Sequence, residues 1–121
     1  MIIGIGTDLI EVERVVNACN REHFLKRCFT EKEIELIQID KKKAAGNFAV
    51  KEAVVKMFGT GFGTIGPVDI EVLRNQEGKP YVQLYGKAKE MAKSLAIGRI
   101  HVSITNTKEY ASAFVVGESE R

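Results

Sequence analysis

An α+β fold, with one long central helix packed on an antiparallel sheet, is what this sequence predicts, and three observations carry that reading. Residues 41–58 contain Ala44, Ala45, Phe48, Ala49, Ala53, Val54, Val55, Met57 and Phe58. These are too many apolar positions for one narrow stripe, so a helix there must be covered around most of its circumference. The second half holds segments that alternate apolar and polar residues, separated by turn residues, as antiparallel strands do. Residues 2–8 are apolar, β-branched and glycine-spaced, which suggests a buried strand whose glycines leave room for a close neighbour.

Asp8 ends that first strand, just before a helix expected to begin near Leu9–Glu11. A carboxylate there serves either as a capping residue or as a ligand, and spacing leaves both open. From about Glu11 to Asn20, Val12, Val15, Val16 and Cys19 share one helical face, with Arg14, Ala18 and Arg21 on another. Arg14 and Arg21 are two turns apart and therefore aligned. With Lys26 and Arg27 in the next short element they form a candidate basic patch, diluted by Glu11, Glu13 and Glu22; a solvated face is the plainer reading. Thr30-Glu-Lys-Glu33 has the form of a capping box, so a helix starts at Glu31 and runs toward Ile39, breaking near Asp40.

The long helix opens at Lys41-Lys-Lys-Ala-Ala and ends at Phe58, with Gly59 as its C-terminal glycine. Phe48, Glu52 and Lys56 share a face at spacing i, i+4, whereas Lys51 lies about 100° away on the side of Asn47 and Lys43. Taken alone, Glu52 and Lys56 read as a surface ion pair contributing about 0.3–0.5 kcal/mol. Gly61, Gly63 and Gly66 then spell GxGxxG. A dinucleotide fingerprint leads from a strand into a helix, whereas this one leaves a helix and enters Pro67, so a Rossmann site is rejected. The P-loop fails too, for want of GK[ST]. What remains is a connector, or glycines that let backbone N–H groups approach a phosphate.

Val68–Leu73 and Tyr81–Tyr85 are expected to form a hairpin about the turn Asn75-Gln-Glu-Gly-Lys-Pro80. A short helix follows from Gly86 or Lys87 to about Leu95, then strands Ile100–Asn106 and Tyr110–Val116 joined by Thr107-Lys-Glu. His101 is a strand-face residue, and Ser103 lacks the nearby histidine and acid of a hydrolase triad.

Composition narrows the function classes. A chain of 121 residues, 45% hydrophobic, reads as one globular domain spanning residues 1–121. Charged residues make up 28% with a net charge of +2 and no long single-sign block, so no nucleic-acid partner is expected. Cys19 and Cys28 have neither metal-ligand nor CxxC spacing and are expected to be free thiols in a reducing cytoplasm. No signal peptide or membrane span is read.

Taken together, Gly4-Ile-Gly-Thr-Asp8, Phe48-Ala-Val-Lys-Glu-Ala-Val-Val-Lys56 with Gly59-Thr-Gly61, Glu77-Gly-Lys-Pro80 and His101-Val-Ser-Ile-Thr-Asn-Thr-Lys-Glu-Tyr-Ala111 resemble one family. It is the holo-[acyl-carrier-protein] synthases, the short bacterial class of 4'-phosphopantetheinyl transferases. The resemblance spans essentially the whole chain. It implies transfer of phosphopantetheine from coenzyme A to a serine of apo-acyl carrier protein, with Mg²⁺ as cofactor, in fatty acid biosynthesis. Matched to the family motifs, Asp8 and Glu52 are the expected metal ligands, and Asp8, Glu52 and Lys56 the catalytic set. Lys56, Gly59, Thr60, Gly61, Asn106, Thr107 and Asn47 are the expected coenzyme A contacts. Arg14, Arg21, Lys26 and Arg27 are the expected docking patch for the carrier's acidic helix, and the assembly implied is a homotrimer with sites at subunit contacts. Two positions depart from the family, which usually has histidine at Asn106 and arginine at Asn47; asparagine donates a hydrogen bond but brings no charge. Contacts to coenzyme A are then either weaker or borrowed from neighbours, for which Lys43 and Lys51 are candidates only because they share the polar side with Asn47. A noncatalytic trimeric module that binds a nucleotide or coenzyme A is the competing reading.

Overall fold

In the computed structural model, which describes residues 1–120, the order of elements is β1 (Ile2–Glu11), α1 (Val12–Ala18), α2 (Glu22–Cys28), α3 (Glu31–Ile39) and α4 (Lys43–Phe58), then a 3-10 turn (Pro67–Asp69), β2 (Ile70–Arg74), β3 (Pro80–Leu84), α5 (Gly86–Ser94), β4 (Ile97–Asn106) and β5 (Tyr110–Ser119). The strands form a three-stranded antiparallel sheet in the order β1-β5-β4 and a separate β2–β3 hairpin. Helix α4 lies between them. Ala49, Val50, Ala53, Val54 and Met57 pack with Ala113 and Val115 of β5, with Ile70 and Val72 of β2, and with Ala88 and Ala92 of α5. A smaller cluster joins Val12, Val15, Cys28, Phe29 and Ile37 to Ala44 and Ala45 at the N-terminal end of α4.

Local signals set both ends of the neighbouring helices. Thr30 accepts from the Glu33 backbone N–H at 3.3 Å while Glu33 Oε1 accepts from the Thr30 N–H at 3.1 Å, completing the capping box. Gly59 closes α4 in the left-handed region at φ 82°, its N–H bonded to the Val55 and Lys56 carbonyls, a conformation that favours glycine.

Strand β1 differs from the expectation in two ways. It continues past Asp8 to Glu11, paired with β5 as far as Glu11↔Tyr110, so Asp8 lies inside a strand and caps no helix. The strand is also buried on one face only. Gly4, Gly6 and Asp8 face α4, whereas Ile3, Ile5 and Leu9 are exposed on the other side. Contact with α4 depends on the glycines, because a Cβ on Gly6 would stand 1.9 Å from the Ala53 carbonyl oxygen and one on Gly4 2.8 Å from that of Met57.

The expected polar side of α4 requires a correction. Lys43 is partly exposed, but Asn47 and Lys51 are completely buried because α3 and β2 cover them. Glu33 of α3, also buried, accepts from Lys51 Nζ at 2.7 Å and from Asn47 Nδ2 at 2.9 Å, and its second oxygen also accepts the Val72 N–H at 3.1 Å. Each Glu33 oxygen therefore has two donors, which is what a buried carboxylate requires.

Candidate active site

The two-residue period of β1 puts Asp8 on the face that carries Gly4 and Gly6, and so beside α4. Turn by turn, α4 sets Phe48, Glu52 and Lys56 along the adjoining stripe. The result joins residues far apart in the chain: Lys56 Nζ lies 3.0 Å from Asp8 Oδ1 and 3.2 Å from the Thr7 carbonyl oxygen. Lys56 thus pairs with Asp8 rather than with Glu52, four positions before it. Glu52 has no hydrogen-bond or ion-pair partner among the described residues. Burial first and the nearby Asp8 carboxylate second hold its carboxyl above the usual range, with Lys56 opposing them.

Asp8 and Glu52 open on a cleft of about 990 Å³ whose walls include Arg14 of α1, Arg21, Phe24, Phe48 and Tyr110. Helix α1 ends at Ala18 and Arg21 is the extended residue that precedes α2, so the expected helical alignment of Arg14 with Arg21 does not occur. Arg14 is drawn toward Glu11 at 3.8 Å, while Lys26 pairs with Glu22 at 2.8 Å. The expected basic patch is therefore divided, with Arg14 and Arg21 on the cleft wall and Lys26 and Arg27 in the last turn of α2. Sequence reasoning missed Phe24 and Tyr110, which arrive from α2 and β5; no local spacing announces either.

The residues expected to meet a cofactor occupy three places. Lys56, Gly59, Thr60 and Gly61 stand together at the C-terminal end of α4, with the Gly59 and Thr60 N–H groups both held by the Val55 carbonyl, at 3.0 and 3.1 Å. Asn106 and Thr107 line a second cavity of about 360 Å³ at the other end of α4, with Lys42, Lys43, Gly46, Arg74, Gly78 and Pro80. Asn47 is in the interior, its amide donated to Glu33 and the Val72 carbonyl, both at 2.9 Å, and presents nothing to a surface ligand. At 1.5 Å per residue, the two exposed groups are separated along α4 by roughly 20 Å. Both cysteines are free, and burial pushes the Cys19 thiol up to about 11, so it offers no thiolate near neutral pH.

A family model described as the 4'-phosphopantetheinyl transferase superfamily matches residues 4–115. The chain belongs to that superfamily. Among transferases of this superfamily, it is 64% identical over 118 residues to the holo-[acyl-carrier-protein] synthase of Lachnoclostridium phytofermentans, covering 98% of this chain and 97% of the relative. The holo-(acyl-carrier-protein) synthase of Bacillus anthracis, solved in complex with CoA (3',5'-ADP), superposes with a TM-score of 0.82 at 35% identity, covering 99% of each chain. The Plasmodium yoelii acyl carrier protein synthase with ADP bound gives 0.88 at 32% identity, covering 100% of this chain and 98% of that one.

Proposed function

We propose that this chain transfers 4'-phosphopantetheine from coenzyme A to a serine of apo-acyl carrier protein, giving holo-acyl carrier protein and adenosine 3',5'-bisphosphate. The observation that carries the proposal is the meeting of Asp8 and Glu52 at one cleft, with Lys56 paired to Asp8, in a member of this superfamily. The donor set suits a hard divalent cation. Two carboxylates, of which Glu52 has no hydrogen-bond partner among the described residues and is raised by burial first and Asp8 second, leave negative charge that Lys56 only partly offsets, and Mg²⁺ is commonly held by one or two carboxylates beside substrate phosphates. Asp8 and Glu52 would hold it. When bound, the ion offsets charge that develops on the pyrophosphate oxygens.

The remaining work belongs to the side chains. The serine oxygen bonds to the phosphorus next to pantetheine, while Glu52, directly or through a water, accepts the hydroxyl proton. The bond from that phosphorus to the bridging oxygen breaks, and Lys56 meets the charge left on the departing bisphosphate. Arg14 and Arg21 on the same cleft suit an acidic carrier surface. A homotrimer fits the exposed apolar face of β1 and β5, and the separation of the Lys56 and Asn106 groups suits a cofactor held between two copies. No helix among the described residues is long and apolar enough to cross a membrane, and the cytoplasm is the proposed place of the reaction.

The test is mass spectrometry of an apo-acyl carrier protein incubated with coenzyme A, Mg²⁺ and this chain. The carrier is expected to gain the phosphopantetheine mass, to stop gaining it when EDTA is added, and to require a higher concentration with Arg14→Glu. Coenzyme A binding without any mass gain would favour the noncatalytic module and overturn the proposal.

A further inference from the structure

Lys51 is the charge that the proposed chemistry leaves idle. It adjoins Glu52 in sequence but points away from the cleft and is completely buried. Its ammonium bonds Glu33 Oε1 at 2.7 Å, the Pro67 carbonyl at 2.9 Å and the Ile70 carbonyl, and lies 5.4 Å from the centre of the Phe29 ring. An ammonium has three protons to donate, so all three are used. Glu33 alone would neutralise the charge. The two carbonyls add a connection, because Pro67 and Ile70 are where the glycine-rich loop returns to regular structure.

The other end of that loop is also tied to α4, through the Val55 carbonyl that accepts from Gly59 and Thr60. Between the two ties Ile65 is buried, while Gly59–Gly61, Gly63 and Thr64 are exposed. A Cβ at Gly59, Gly61, Gly63 or Gly66 would meet nothing within 4 Å, so the glycines do nothing to fix the loop, whose own anchors are Ile65 in the main core and Phe62 packed against it. Glu33 is in turn fixed by the Thr30, Asn47 and Val72 donors. The buried network thus reaches from the cap of α3 to the exit of the loop.

We infer that Lys51 is a positioning residue for the cofactor: through Pro67 and Ile70 it holds the end of the 59–66 loop against α4, so that the loop stays beside Lys56 where coenzyme A is received. This rests on the proposed function, in which that loop receives coenzyme A. Lys51→Met removes the donors but strands Glu33, so Glu33→Gln/Lys51→Met is made beside it; replacing a buried ion pair by neutral residues of similar volume is often tolerated. The expected result is a rise of about tenfold in the KM for coenzyme A and in the Kd for adenosine 3',5'-bisphosphate, with the carrier KM changed by less than about twofold. Hydrogen exchange should quicken in residues 59–66 and not in residues 44–55. A double variant that fails to fold, that raises both KM values equally, or that binds the bisphosphate and exchanges as the wild type does would assign Lys51 a structural role and overturn the inference. Wild-type protein that transfers nothing would instead count against the proposed function, and the exchange measurement would still decide whether Lys51 fixes the loop.

Discussion

Glu52 stands half-buried beside Asp8 without a hydrogen-bonding partner among the described residues, and that isolation has a thermodynamic sign. Its carboxyl is raised above the usual range by burial first and Asp8 second, so the folded state binds that proton more tightly than the unfolded chain. The contribution to stability is favourable at low pH and is lost as pH rises from the unfolded value through the folded one. Glu52→Gln should therefore melt at least as high as the wild type at pH 7, with the difference gone below about pH 4, near the unperturbed value, while transfer falls about 100-fold or more. Thermal melts at both pH values check this, and a glutamine variant that is less stable at pH 7 contradicts it. The Glu52 and Lys56 alignment was legible from i, i+4 spacing because it depends on one helix alone. Asn47 and Lys51 were not legible, since the carboxylate that buries them comes from α3. A wheel drawn for α4 shows direction but not what covers each side, and the capping role of Glu33 gave that residue an adequate local explanation.

At the scale of elements, the site depends on how closely β1 lies on α4. Gly6 is the tightest point, and Asp8 sits two residues further along the same face. Gly6→Ala would drive a methyl group into the Ala53 carbonyl oxygen, and neither backbone can yield as a flexible side chain would. A loss of at least about 2 kcal/mol of stability is expected, measured by urea unfolding, with transfer in the folded fraction also reduced because Asp8 moves with its strand. Gly63→Ala is the control, as its Cβ would meet nothing within 4 Å; a Gly6→Ala protein as stable as that control would refute the account. The glycine spacing of β1 announced a close neighbour, and the capping box and Gly59 announced the helix ends, all through local chemistry. The true end of β1 was hidden, because pairing with Tyr110 and Ala111 carries the strand to Glu11, and that partner lies about a hundred positions away.

For the whole molecule, the outer face of the three-stranded sheet poses a solvation problem that one copy leaves unsolved. Ile5, Leu9 and Phe114 are 60%, 65% and 47% exposed, and register sets Phe114 between Thr7 and Ser103 and sets Ile5 across from Val116. Such a contiguous face suits a protein partner. The apolar run of residues 2–8 reads as fully buried from sequence, yet within one chain α4 covers only one side of it; a second copy would cover the other. Assembly would also explain why Lys56 and Asn106 lie at opposite ends of α4, since contacts between copies can bring one end beside the other. Phe114→Asp puts an unpaired charge at the centre of this face, where desolvating it would be costly. The variant should keep its circular dichroism spectrum, scatter light as a monomer, and lose at least about tenfold in transfer. Mixing Glu52→Gln with Asn106→Ala/Thr107→Ala should restore part of the activity that each lacks alone, because some sites in the mixed trimers would draw both intact groups from different copies. A Phe114→Asp monomer with full activity, or a mixture no more active than its parts, would place the whole site within one chain.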